Sequence, residues 1–92
     1  MALLDDTEIR ARLDALNGWT LDGNAIRKTY TLDSFRDAIA FVNRIAEAAE
    51  QVDHHPDIDI RYDRVGCTLS THSEGGLTDR DFALAEGIDG VR

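Results

Sequence analysis

Apolar residues recur at helical spacing in three stretches of this chain and alternate with polar ones in the segments between them. Asp5, with Glu8 three residues on, makes an aspartate version of a capping box, flanked by Leu4 and Ile9 as a hydrophobic staple. Ile9, Leu13 and Leu16 then repeat at helical spacing until Asn17-Gly18 stops the helix. A second helix starts at Ser34. Phe35, Ala38, Ile39, Val42, Ile45, Ala46, Ala49 and Val52 form its apolar stripe, and Pro56 forbids continuation much past Asp53. Phe41 and Ala48 lie off the stripe, so they either widen the buried face or mark a subunit contact. The third helix opens with Thr78 as cap, Asp81 at its third position and a Leu77–Phe82 staple. Phe82, Ala85 and Ile88 make its core face.

The segments between read as hairpins. "WTLDGNAIRKTYTL" carries an Asp22-Gly23 turn signal, with Ile26, Tyr30 and Leu32 on the apolar side. In "DIDIRY" and "VGCTLST" the apolar sets are Ile58, Ile60 and Tyr62, then Val65, Cys67, Leu69 and Thr71. Helix, hairpin, long helix, hairpin, helix predicts an α+β fold, a four-stranded antiparallel sheet with three helices packed on one face. A chain of 92 residues makes one domain, residues 1–92, burying about two thirds of its unfolded surface.

Asp63-Arg64 at the centre of the second turn would set Tyr62 opposite Val65, Ile60 opposite Cys67 and Ile58 opposite Leu69, all apolar residues on one face. Extended, that ladder puts His55 opposite His72, on the polar face with Asp57, Asp59, Thr68 and Ser70. Residues so paired have Cβ atoms about 4.5–5.5 Å apart, close enough to share a small ligand. His54 falls at the C-terminal end of the long helix, where the helix dipole and the carboxylates of Glu50 and Asp53 favour imidazolium. Pro56 holds His55 extended, so the two adjacent imidazoles diverge.

Charge removes some functions. Ten basic against eighteen acidic residues give −8, with Lys28 the single lysine. That argues against direct nucleic-acid binding, which needs clustered cations. The acidic residues are dispersed and read as a solvated surface. No apolar run approaches the roughly 20 residues of a membrane span. "MALLDDTEIR" has no basic start or long apolar segment, so no signal peptide is expected. The lone Cys67 has no partner within the chain. A reducing, cytoplasmic setting is the expectation.

Three imidazoles converging from two segments suit proton transfer in both directions near neutral pH. A single histidine would ordinarily be a surface or capping residue; the convergence is what argues otherwise. Asp81 has an equally good reading as a simple helix cap. Trp19 reads as a packing residue and Cys67 as an inert core hydrophobe. Zinc is disfavoured because adjacent His54 and His55 would rarely reach one ion, and no metal is expected. Ser70 and Ser73 lie near His72, yet nothing forms a nucleophile elbow or triad.

Glu50-x3-His54-His55-Pro56, then Tyr62, then "LSTH" ending at His72, then "GLTDRD" ending at Asp81, together with the "GW" at 18–19, resembles the pterin-4a-carbinolamine dehydratase family over nearly the whole chain. The spacings agree throughout, with departures at "DIDIRYD" and at Gly66, where a larger side chain is usual. The resemblance implies dehydration of 4a-hydroxytetrahydropterin to quinonoid dihydropterin and water, without metal or redox cofactor. It implies that His54, His55 and His72 surround the pterin, with His54 and His72 as the main acid–base pair and His55 mostly binding. Asp81 would orient or tune one of them, and Asp53, Ser70, Thr71 and Ser73 would contact the pterin edge. It also implies homodimers or homotetramers and a link to an aromatic amino acid hydroxylase through cofactor recycling. Two other functions share the fold: a binding or dimerisation module partnering a transcription factor, and a dehydratase-like protein of molybdopterin or another pterin pathway.

Overall fold

The structure, a computed structural model describing residues 2–92, runs α1 (Asp6–Asp14), β1 (Thr20–Asp22), β2 (Ala25–Thr31), α2 (Phe35–Val52), β3 (Asp57–Arg61), β4 (Arg64–Leu69), a 3-10 turn (His72–Glu74) and α3 (Asp79–Val91). The expected α+β architecture is present. The four strands form one antiparallel sheet in the order β1-β2-β4-β3. Ile26, Tyr30, Val65, Cys67 and Leu69 point from it into a core closed by Ala38, Phe41 and Ile45 of α2 and by Phe82, Leu84, Ala85 and Ile88 of α3.

The caps form as their residues dictate. Asp5 and Glu8 complete a reciprocal capping box on α1, and Thr78 and Asp81 complete one on α3. The Ser34 hydroxyl accepts from the Asp37 N–H at 3.0 Å to start α2. At the other end of α2, Asp53 takes the left-handed conformation at φ 50°. Its N–H and that of His54 reach back to the carbonyls of Glu50 (3.3 Å) and Ala49 (3.2 Å). This is a Schellman closure with an aspartate where glycine is usual. It turns the chain sharply between His54 and the strand that follows.

Four expectations need correction. α1 ends at Asp14, before Asn17-Gly18, because the Ala15 and Leu16 amides tighten onto the carbonyls of Arg12 and Leu13. The buried face of α2 is rotated: Phe41 is fully buried, whereas Phe35 and Val52 are about half exposed. Phe41 therefore widens the core face; its ring packs edge-on against Tyr30 at 4.8 Å. Tyr62 is no strand residue. It sits in the β3–β4 turn at φ 54° and is 72% exposed, and Ile60 beside it is also exposed. Finally, Ile58 pairs with Cys67 and Ile60 with Val65, so the turn is Tyr62-Asp63 and the register differs by two residues from the expected one. A shift of two preserves which face each residue occupies, so the apolar pattern could not detect it.

The first hairpin turns through Gly23-Asn24, joining Asp22 to Ala25. Trp19 is buried, as expected, and a polar hub fixes it. Asp89 of α3 accepts from the Trp19 indole N–H (3.2 Å), the Lys28 ammonium (2.8 Å) and the Tyr30 hydroxyl. Burial, reinforced by the Asp89 carboxylate, keeps the Tyr30 phenol protonated well above its ordinary range.

Candidate active site

The loop from Ser70 to Gly76 and the N-terminus of α3 converge on the end of α2. The result is a buried polar network around one carboxylate. Asp81 is fully buried, and its Oδ1 lies 2.6 Å from Nε2 of His54. Its Oδ2 accepts from the Thr71 hydroxyl at 2.8 Å and from the Thr78 backbone N–H at 2.9 Å. The Thr71 and Thr78 hydroxyl oxygens are 2.8 Å apart. An acceptor-only carboxylate fixes the direction of these bonds. Thr71 gives its single proton to Asp81, so Thr78 gives its own to Thr71. By the same reasoning the His54 Nε2–H donates to Asp81. No buried side-chain polar atom among the described residues lacks a partner.

His54 is only 8% exposed. Its carboxylate partner is Asp81, brought from α3. Glu50, one of the two carboxylates that the sequence sets near His54, pairs instead with Nε2 of His55 on the exposed side of the junction. Pro56 and the left-handed Asp53 send the two rings apart, as the sequence implied.

The expected pairing of His55 with His72 does not occur. The β3–β4 ladder stops at Asp57–Thr68, and after Leu69, which still pairs with Ile26, the chain leaves the sheet. Thr71 forms an isolated bridge with Gly76, its N–H donating to the Gly76 carbonyl at 2.9 Å. His72 then opens a 3-10 turn closed by Gly75 in the left-handed conformation (φ 76°). His72 and Ser73 are exposed on that turn. Ser70 is engaged, its hydroxyl donating to the Asn24 carbonyl at 3.0 Å. Asp53 is exposed, and its carbonyl is held by Arg80.

Arg80 was not singled out from the sequence. Its guanidinium donates to the carbonyls of Val52 (3.3 Å) and Asp53 at the end of α2. The last turn of α2 contains no basic residue of its own, so α3 supplies the cation that a helix C-terminus favours. Adjacent Arg80 and Asp81 thus hold the Val52–His54 turn at two points, one through backbone and one through the imidazole. The bare carbonyls at the end of α2 were a legible signal; the segment that would answer them was not. Among the described residues, no group of three or more His, Cys, Asp or Glu side chains is placed to hold a metal ion. No helix among them is long and apolar enough to cross a membrane.

The family model described as pterin 4 alpha carbinolamine dehydratase matches residues 2–91. A protein of Mycobacteroides abscessus bearing the name "Putative pterin-4-alpha-carbinolamine dehydratase" is 61% identical over 89 residues, covering 97% of this chain and 95% of its own. Among solved structures, a transcriptional coactivator/pterin dehydratase from Brucella melitensis superposes with a TM-score of 0.93 at 37% identity, over 98% of both chains. A pterin dehydratase-like protein that is a RuBisCO assembly factor in the alpha-carboxysome shares the fold, with a TM-score of 0.66 at 22% identity over 79% of this chain and 84% of its own. The chain belongs to the pterin-4-alpha-carbinolamine dehydratase family.

Proposed function

We propose that this protein dehydrates 4a-hydroxytetrahydropterins to quinonoid dihydropterins, serving tetrahydropterin recycling. The observation that carries the reading is the buried His54–Asp81–Thr71–Thr78 network, which anchors an imidazole to a buried carboxylate beside the exposed His72 loop. The reaction breaks the C4a–O bond. An acid protonates the departing hydroxyl, the N5 electron pair forms the N5=C4a bond, and a base takes the proton from N5. His54, its Nε2–H committed to Asp81, offers Nδ1 as the base. His72, exposed and without a hydrogen bond to another side chain among the described residues, is the acid. His55, held by Glu50, binds the pterin with Asp53, Thr71 and Ser73, while Ser70 shapes the loop. One imidazole supplies a proton and the other takes one, and exchange with solvent water resets both, so the reading needs no cofactor.

The test is dehydration of a synthetic 4a-hydroxytetrahydropterin, followed optically. His54→Ala and His72→Ala should each lower the catalysed rate by roughly 10²–10⁴. Chelator should leave the rate unchanged; loss restored by zinc would replace this mechanism with a metal-assisted one. An inactive but folded wild-type protein would favour the non-catalytic reading, a binding or dimerisation module. Sedimentation should give a homodimer or homotetramer. A cytoplasmic setting and a link to an aromatic amino acid hydroxylase complete the proposal.

A further inference from the structure

Each histidine of the site is placed by different means. His54 is held by Asp81 and His55 by Glu50, whereas the His72 ring has no such anchor. Its position is therefore the position of its loop. The base of that loop is closed by the Thr71–Gly76 bridge, and the turn inside it closes on itself through Glu74 and Gly75 amides donating to the carbonyls of Thr71 and His72. From outside, among the described residues, one side-chain hydrogen bond reaches residues 72–75: the Asn24 carboxamide Nδ2–H donates to the Gly75 carbonyl at 3.3 Å. The backbone carbonyl of Asn24 accepts from the Ser70 hydroxyl at 3.0 Å. One residue at the tip of the β1–β2 hairpin thus touches the chain just before His72 and just after it.

We infer that Asn24 is a positioning residue for His72. It fixes the tilt of the loop relative to the sheet while the Thr71–Gly76 bridge fixes its base. Asn24 is exposed and its hairpin turn is closed by backbone pairing, so losing the carboxamide donor leaves the fold in place. The inference rests on the dehydratase reading for its consequence and on geometry alone for the tether.

Asn24→Asp keeps the side chain's shape but removes the donor and sets a carboxylate against the Gly75 carbonyl. It should lower kcat by roughly 3- to 30-fold, the range for loss of one orienting hydrogen bond at a catalytic group, with KM and Tm near wild type. In the His72→Ala background the same change should cost nothing further, because the group that it positions is gone. Unchanged kcat in folded Asn24→Asp, or an equal loss with and without His72, overturns the inference. Should Asn24→Asp fail to fold, Ser70→Ala makes the same test from the other limb of the loop. If wild type has no activity, the dehydratase reading fails. The imidazole ¹⁵N shifts then decide the tether: Asn24→Asp should move those of His72 and leave those of His54, and unmoved His72 shifts overturn it.

Discussion

Nε2 of His54 and Oδ1 of Asp81 lie 2.6 Å apart, joining the end of one helix to the first turn of another through a fully buried carboxylate. Asp81 therefore has two tasks, capping α3 and orienting an imidazole. Asp81→Asn keeps an acceptor for the cap but weakens the charge-assisted bond to His54. It should lower kcat about 10²-fold and stability by about 1–2 kcal/mol, read by dehydration kinetics and urea unfolding. Reduced stability with intact turnover would leave Asp81 a cap alone.

The Asp53 backbone, left-handed at φ 50°, is held by the guanidinium of Arg80. A non-glycine residue there carries a Cβ penalty, so Asp53→Gly should raise stability by roughly 0.5–1 kcal/mol. Arg80→Ala should lower it by about 1 kcal/mol, with Arg80→Lys recovering part through its charge at the helix terminus. Chemical denaturation of the three variants checks both signs.

Alkaline stability has a definite sign. Burial pushes the Cys67 thiol from 9.0 up to about 11, and Tyr30 is raised as well. Below pH 9 both the folded and unfolded thiol are protonated and the stabilisation is complete. Above it the unfolded chain loses its proton first, so stability falls until the folded thiol titrates near pH 11. The loss from Cys67 is up to ~2–3 kcal/mol. Unfolding free energies measured from pH 8 to 11 should fall, and Cys67→Ala should flatten that slope while Tyr30 retains its share.

Gly66 on the central strand β4 lies under an ion pair between Arg27 of β2 and Asp59 of β3, 2.9 Å apart on the helix-free face. A Cβ at position 66 would stand 2.4 Å from the Arg27 guanidinium and 2.8 Å from the Asp59 carboxylate. Both are ends of flexible, partly exposed side chains, so Gly66→Ala parts a surface pair of modest worth while gaining strand propensity. The net change should stay within about 1 kcal/mol. In an Arg27→Ala background, where the pair is already gone, Gly66→Ala should be stabilising. A clear destabilisation in both backgrounds would mean that the backbone at Gly66 is itself constrained.

The sequence by itself determined what depends on neighbours a few residues apart. The capping boxes at Asp5 and Thr78, the start of α2 at Ser34, its end before Pro56 and the alternation of β4 are local chemistry, and each forms as read. The motif spanning Glu50 to Asp81 likewise carried the family, because its spacings are properties of the chain. Tertiary structure decided the rest. The register of β3 on β4 slipped by two residues because parity is blind to even shifts, and with it went the supposed pairing of His55 with His72. Phe41 was buried because Tyr30 stands across from it. The site's carboxylates were reassigned for the same reason. Glu50 and Asp81 are equally acidic in sequence, and only the packing of α3 against the end of α2 gives Asp81 to His54 and leaves Glu50 for His55. Arg80 and Asn24 act across gaps of 27 and 51 residues, on Asp53 and Gly75, where no short-range pattern could link them.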